Sequence, residues 1–163
     1  MLEEAEGVRL SSVVYPTIWP LRRELVAACR RRHHLHRWLT AEAAHAAPAE
    51  RCLCGIYGAS QPSQLLRYLE SDHADARASG RLLGRVPGRV LLWGTVVECK
   101  QGWRASHAYP ERIYVRSGAQ DTPLLDGEQL ARALSAYWVP VELVACATLS
   151  DLVDALAHES ELA

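Results

Sequence analysis

The sequence predicts an α+β fold with a long N-terminal helix region, a central antiparallel β-hairpin sheet and a C-terminal αβα segment. Residues 90–115 alternate apolar and polar side chains on either side of a Gly-containing turn, which is typical of a β-hairpin. Residues 21–39 carry apolar side chains at roughly helical spacing. Residues 126–156 pass from a helical pattern to a strand pattern and back, and this order favours α+β.

The N-terminal half begins with a β-type segment and continues with the predicted long helix. Gly7 to Trp19 is rich in Val, Ile, Thr and Tyr and predicts one or two strands. Pro20 suits the first turn of a helix, which should end before Pro48. Its apolar side is expected to hold Leu21, Leu25, Ala28, Cys29, Leu35 and Leu39.

An irregular stretch separates the predicted long helix from the hairpin. Residues 49–59 show no clear periodicity, and Ser60 with Pro62 predicts a short helix that continues to Leu69. Residues 71–80 are small and polar, so we expect a mobile loop there.

The hairpin residues fix a predicted register. Lys100-Gln101-Gly102 is expected to be a three-residue loop in which Gly102 takes the left-handed conformation. That loop places Glu98 opposite Arg104 on one face, and Pro110 should end or bulge the second strand. The other face would hold the pairs Cys99–Trp103, Val97–Ala105, Thr95–His107 and Trp93–Tyr109.

The C-terminal segment carries helix-start signals. Asp126 followed by Gln129 predicts a capping box, and Ser150 is expected to cap the last helix. Residues 139–146 predict a buried strand between the two helices. The inward-facing side chains are expected to be Leu130, Ala133, Leu134, Tyr137, Leu152, Val153 and Leu156.

Composition limits the function classes. The 163 residues fit one domain over positions 1–163, and a net charge of -1 provides no global basic field for nucleic acid. The acidic N-terminus has no apolar core of a signal peptide, and the apolar runs are too short to span a bilayer, so we expect a cytoplasmic location. Abundant Arg with a single Lys and no Phe points to a bacterial genome rich in GC.

A cluster of soft metal ligands is the main functional feature. Cys52 and Cys54 follow His45 closely, and Cys29 lies upstream. Zinc prefers four thiolate or imidazole ligands in a tetrahedron, and Gly55 helps the backbone turn so that both nearby thiols reach one ion. The hypothesis is therefore a zinc site made by Cys29, His45, Cys52 and Cys54.

Two other interpretations of the same residues stay open. Cys29 and Cys52 could be small core residues, because free cysteine is often buried. Cys52 or Cys54 could also be a reactive thiol, with His45 as base or Arg51 lowering its pKa. A zinc deaminase is excluded, because His45 is not followed by the required Glu and the two cysteines are one residue too close.

Two further sites are candidates. Trp93, Thr95, His107 and Tyr109 could line a ligand pocket beside the hairpin, with His107 as acid or base, although such a face is more often core. Residues 30–38 carry Arg and His with a nearby Trp and could contact phosphates, although a solvated helix face is the simpler interpretation.

Three motifs resemble those of a group of uncharacterised small bacterial proteins from high-GC genomes. They are a His-x-x-Pro segment before Cys52-Leu-Cys54-Gly-Ile-Tyr57, then Leu92-Trp93-Gly94, then Gly102-Trp103-Arg104-Ala105. The resemblance covers roughly residues 29–115. It implies that the cysteine motif and the hairpin form one unit, and it implies no reaction.

These observations predict a zinc-stabilised cytosolic binding or regulatory module. The partner is unknown, and a protein or small molecule is favoured over nucleic acid, with no membrane partner. The alternatives are a small metal- or cysteine-dependent enzyme with a pocket beside residues 90–115, and an Arg-dependent nucleic-acid-binding protein.

Overall fold

The described part of the chain is mainly an antiparallel sheet, with both helices toward the C-terminus. The computed structural model describes residues 7–12, 17–29, 45–66, 85–117 and 125–161. Short 3-10 turns cover Pro62–Leu65 and Ser135–Tyr137. The elements in chain order are β1 (Leu25–Val26), β2 (Ile56–Ala59), β3 (Gly88–Cys99), β4 (Gly102–Ser117), α1 (Gly127–Leu134), β5 (Val141–Ala145) and α2 (Leu149–Glu161).

Strand β4 is the centre of the sheet, because each of the other four strands pairs with it. β3 runs antiparallel along one edge of β4. The other edge takes β2 at residues 102–105, β1 at residues 107–108 and β5 at residues 113–117. Among the described strands, only β5 is parallel to β4, and α1 provides the crossover that a parallel connection needs.

The predicted fold class is wrong in its N-terminal part. Leu25 and Val26 form β1, opposite Ala108 and His107 of β4, and no helix occurs in the described residues 17–29. Leu25 is buried against Ile56 and Ala108, so its apolar side chain serves a strand and not a helix face. The edge of β4 supplies backbone hydrogen-bond partners that overrode the helical spacing. Residues 30–44 and the predicted mobile loop at 71–80 lie outside the described residues.

The predicted hairpin register is wrong by one residue near the turn. Cys99 pairs with Gly102, so the turn is the dipeptide Lys100-Gln101, and Glu98 lies opposite Trp103 instead of Arg104. Gly102 has φ +139°, and a Cβ there would lie 2.0 Å from the Gly58 carbonyl oxygen. Glycine is therefore favoured at this position both by the positive φ, as predicted, and by the close approach of β2.

Two bulges shift the register further along the hairpin. A shift between Trp93 and Val96 brings Trp93 opposite His107 instead of Tyr109. The bulge predicted at Pro110 is confirmed, because Val90 pairs with Pro110 whereas Arg89 pairs with Arg112. Such bulges bend a strand and increase its twist.

The C-terminal helices cover the two faces of the β4 end. Leu130, Leu134 and Tyr137 are buried against Ile113 and Val115 of β4. Leu152 and Leu156 of α2 pack on Tyr114, which points to the opposite face. These inward-facing residues were predicted correctly.

The helix caps were predicted correctly for α1 alone. Asp126 and Gln129 form the expected capping box. Thr148 and not Ser150 caps α2, since its hydroxyl accepts from the Asp151 backbone N–H and its own N–H donates to the Asp151 carboxylate. Among the described helices, none has the length and apolar character to cross a membrane.

Candidate metal centre

Four side chains from positions 29 to 54 meet beside the turn end of the hairpin. The Cys/His cluster consists of Cys29, His45, Cys52 and Cys54, whose ligand atoms all lie within 4.8 Å of one another. The Cys29 and Cys52 sulfurs are 3.7 Å apart, and the His45 Nε2 is 3.3 Å from the Cys54 sulfur. All four residues singled out from the sequence are therefore in one place.

Strand β4 positions three of these residues through two separate backbone pairings. Leu25 and Val26 pair with β4, and the Ala27 N–H donates to the Ser106 carbonyl at 2.8 Å, which leads the chain to Cys29. Ile56 pairs with Ala105, which directly precedes Ser106 in β4, and this pairing places Cys54 just before the start of β2. Cys29 was expected on a helix, and it instead follows a strand.

The loop that carries the two neighbouring cysteines is tightly turned. The Cys52 N–H donates to the Ala49 carbonyl at 3.1 Å. Gly55 has φ +122°, and a Cβ there would lie 3.0 Å from the Pro48 Cβ and 3.1 Å from the Arg104 Cβ. Gly55 thus allows both the turn of the backbone and the close approach of β4, as its place after the cysteines predicted.

Arg104 is the residue that sequence reasoning missed. Its guanidinium is buried, with the residue only 5% exposed, and its Nη1 donates to the carbonyls of Cys54 at 3.0 Å and of Cys52. Its Nε donates to the Cys99 sulfur at 3.2 Å. Hydrogen bonds from a charged donor are stronger than neutral ones, so Arg104 fixes the backbone between the two cysteine ligands.

A sequence signal for Arg104 existed. The residues around it on β4 include Gly102, Ala105, Ser106 and Ala108. A strand with so many small residues allows other backbone to approach closely. An arginine among them is expected to be covered, and a covered arginine must find hydrogen-bond acceptors.

The two neighbouring thiols differ in their ionisation. A hydrogen bond from the Cys54 backbone to the Cys52 sulfur is the largest influence on Cys52, and its pKa is lowered to about 7. Burial is the largest influence on Cys54, and it raises the pKa of that thiol. Since thiolates are the metal-binding form, Cys52 is the thiol more readily available to a metal.

The cluster is partly shielded from solvent. Cys54 is buried, Cys29 and Cys52 are half-buried, and His45 is exposed. A structural zinc site has four protein ligands and no open position. Four donors of the right type are present here, so the cluster fits a closed site better than a catalytic one.

The second predicted site is only partly assembled. Trp93 and His107 stack with ring centroids 5.9 Å apart, and Tyr109 shares their face of β4 by strand alternation. The Tyr109 hydroxyl donates to the Tyr137 carbonyl at 2.6 Å, which occupies it in the fold. Thr95 is exposed in the bulge. A ligand pocket at these residues stays a prediction.

Comparison with known proteins gives no guide to the site. No protein-family model matches the chain, and no curated protein or solved structure matches it. The resemblance to the bacterial motif group therefore stays a prediction. The basic run at residues 30–38, which was the candidate for phosphate contacts, lies outside the described residues.

Proposed function

We propose that the Cys/His cluster binds one zinc ion and that the chain is a zinc-stabilised binding module. The observation that carries the proposal is the spacing of the four ligand atoms. Zinc–sulfur bonds of about 2.3 Å in a tetrahedron imply sulfur–sulfur edges of about 3.8 Å, and a sulfur–nitrogen edge is slightly shorter. The 3.7 Å between Cys29 and Cys52 is close to such an edge, the 3.3 Å between His45 and Cys54 is somewhat shorter, and all four ligand atoms lie within 4.8 Å of one another.

The donor set favours zinc over other common ions. Thiolate and imidazole suit zinc, whereas magnesium and calcium require oxygen ligands. Three thiolates, one neutral imidazole and one Zn²⁺ carry a net charge of -1. The buried guanidinium of Arg104 touches the same loop and supplies one positive charge, so the site and its surroundings are balanced.

The proposed role is binding or regulation, in the cytoplasm. The metal would join the segment after β1, the segment at His45 and the loop before β2, none of which has extended secondary structure of its own. The neighbouring hairpin exposes large apolar side chains at Leu91, Trp93, Val96 and Trp103. Such side chains are available for a partner, and reduced thiols need a reducing compartment.

Metal analysis of the reduced protein tests the proposal. We expect one zinc ion per chain in the wild type and none in the double variant Cys52→Ser, Cys54→Ser. Cys146→Ser is the matched control, because Cys146 donates to the Val144 carbonyl outside the cluster, and it should keep its zinc. Cobalt substitution should give the visible spectrum of a tetrahedral thiolate site. A metal-free wild type that is equally stable with and without chelator would contradict the proposal.

One observation favours a second candidate, a reactive thiol at Cys52. A lowered thiol pKa, as at Cys52, is a property both of cysteines that bind metal and of cysteines that act as nucleophiles. Iodoacetamide labelling separates them, because a zinc-bound thiolate is protected whereas a free nucleophile reacts quickly near neutral pH. We expect slow labelling of Cys52 until the metal is removed. Fast labelling of Cys52 alone in the protein as purified would favour the enzyme.

A further inference from the structure

A cavity of about 650 Å³ adjoins the Cys/His cluster. Its size lies in the range of pockets that bind small molecules, roughly 300–1,000 Å³. The sulfur-bearing residues Cys29, Cys52 and Cys54 contribute to its wall. The cavity is distinct from the predicted pocket at Trp93, Thr95, His107 and Tyr109, none of which lines it.

Most of the cavity wall is apolar. Trp19, Leu25, Ile56 and Val90 line it and belong to one packed group. Large apolar side chains also stand exposed at positions that line it, with Val26 56% exposed and Leu53 74% exposed. An apolar ligand that covers such surface removes it from water, and this burial contributes favourable binding free energy.

The cavity has basic side chains in its wall. Its described lining contains three arginines and no Asp or Glu; they are Arg51, Arg89 and Arg112. Arg89 pairs with Glu111, and Arg112 pairs with Glu142. Neither of the ion pairs within the described residues involves Arg51, which lies next to Cys52. An anionic group on a ligand would therefore be favoured at Arg51.

We propose that this cavity binds a small apolar molecule that carries one carboxylate. The apolar part would lie between Leu25, Ile56 and Val90, and the carboxylate would lie at Arg51. The inference goes beyond the proposed zinc module. Because the cluster contributes to the wall, binding of metal and of ligand should influence each other to the same degree.

Decanoate and decan-1-ol are suitable probes, since they share an apolar chain and differ in charge. Zinc content is measured first on the same sample, so a failure of metal binding is recorded separately from a failure of ligand binding. By calorimetry we expect one decanoate per chain. Its affinity should be about fivefold higher than that of decan-1-ol, which is the size of one solvent-exposed charge interaction.

Two substitutions locate the binding. Arg51→Gln should remove the preference for decanoate, while Arg23→Gln, an exposed arginine that does not line the cavity, should leave it unchanged. Thr17→Trp should occupy part of the cavity and weaken both probes at least about tenfold, in contrast to the exposed Ala155→Trp on α2.

Several results would overturn the inference. If neither decanoate nor decan-1-ol binds, the cavity is not a binding site for such molecules. Equal affinities of the two probes for the wild type, or an unchanged preference in Arg51→Gln, would exclude recognition of the carboxylate there. Binding that Thr17→Trp and Ala155→Trp affect equally would place the ligand elsewhere. Should Thr17→Trp fail to fold, Arg51→Gln decides, since its site is exposed.

Discussion

The two ends of β4 are stabilised in different ways. At the turn end, β4 supports irregular segments that converge on the Cys/His cluster, and a charged arginine is among the buried side chains there. At the other end, apolar side chains of α1 and α2 cover both faces of the strand. The first end combines charged hydrogen bonds and a candidate metal cluster with a small apolar group, whereas the second depends on apolar burial.

Removal of the metal should have the largest effect and should be confined to the cluster end. Structural zinc contributes apparent binding free energies of about 10–16 kcal/mol in small zinc peptides. We expect a chelator under reducing conditions to increase hydrogen exchange in residues 45–59, while α1 keeps its protection. Mass spectrometry of exchanged peptides measures this. Equal loss of protection in both regions would contradict the idea that the two ends of β4 are stabilised in different ways.

Leu134→Ala should destabilise the helical end without affecting the metal. Leu134 is 1% exposed in the core, and truncation of such a leucine costs about 2–5 kcal/mol. Urea unfolding should show this loss while zinc content remains unchanged. Leu143→Ala is the control, because Leu143 is 46% exposed and its truncation should cost much less. A loss of zinc from Leu134→Ala would show that the two ends are coupled.

Arg104→Met should weaken the cluster end by about 2–3 kcal/mol. A hydrogen bond from a charged group contributes about 1.5–3 kcal/mol, and the carbonyls of Cys52 and Cys54 would lose their donor. We expect lower unfolding stability and lower zinc affinity, both measured against Arg132→Met on exposed α1 surface. Arg104→Lys should recover only part of the lost stability and zinc affinity, because lysine lacks the planar, forked guanidinium group of arginine. Zinc affinity equal to that of the wild type would exclude a positioning role.

In the metal-free protein, the stability and the ultraviolet absorbance should both depend on pH through the ionisation of the Cys52 thiol. Its pKa is lowered from 9.0 to about 7 in the fold, so the thiolate stabilises the fold above the unfolded value. This stabilisation is lost as pH falls through about 7. Thiolate absorbance in the ultraviolet should show a step near 7 that Cys52→Ser removes and Cys146→Ser keeps. A Cys52 step at the ordinary thiol pKa would refute this assignment.

The candidate site was more predictable than the fold around it. Few residue types bind soft metals, and seven cysteines and histidines lie from position 29 to position 54. The sequence hypothesis chose Cys29, His45, Cys52 and Cys54 among them, and those four lie together in the structure. The spacing did not predict which contacts bring Cys29 next to Cys52. That juxtaposition depends on two pairings with β4, which are long-range.

The errors in the fold share one physical cause. Leu21 and Leu25 have helical spacing, but the open edge of β4 provides a stronger alternative that local sequence does not contain. Gly102 has the positive φ that was predicted, but the close approach of the Gly58 carbonyl to it is a long-range contact that local sequence does not contain. The capping box at Asp126 was predictable because both partners lie within four residues.

The dependence of every described strand on β4 has a consequence for how the chain folds. The β3–β4 hairpin is a local structure that can form early, since only the Lys100-Gln101 turn separates its strands. β1 and β2 precede it and require long loops to close before they can pair. We therefore expect an assembly order in which the hairpin is the nucleus and the N-terminal segments join it late. Their cysteines would then meet only on a template that the second half of the chain has already built.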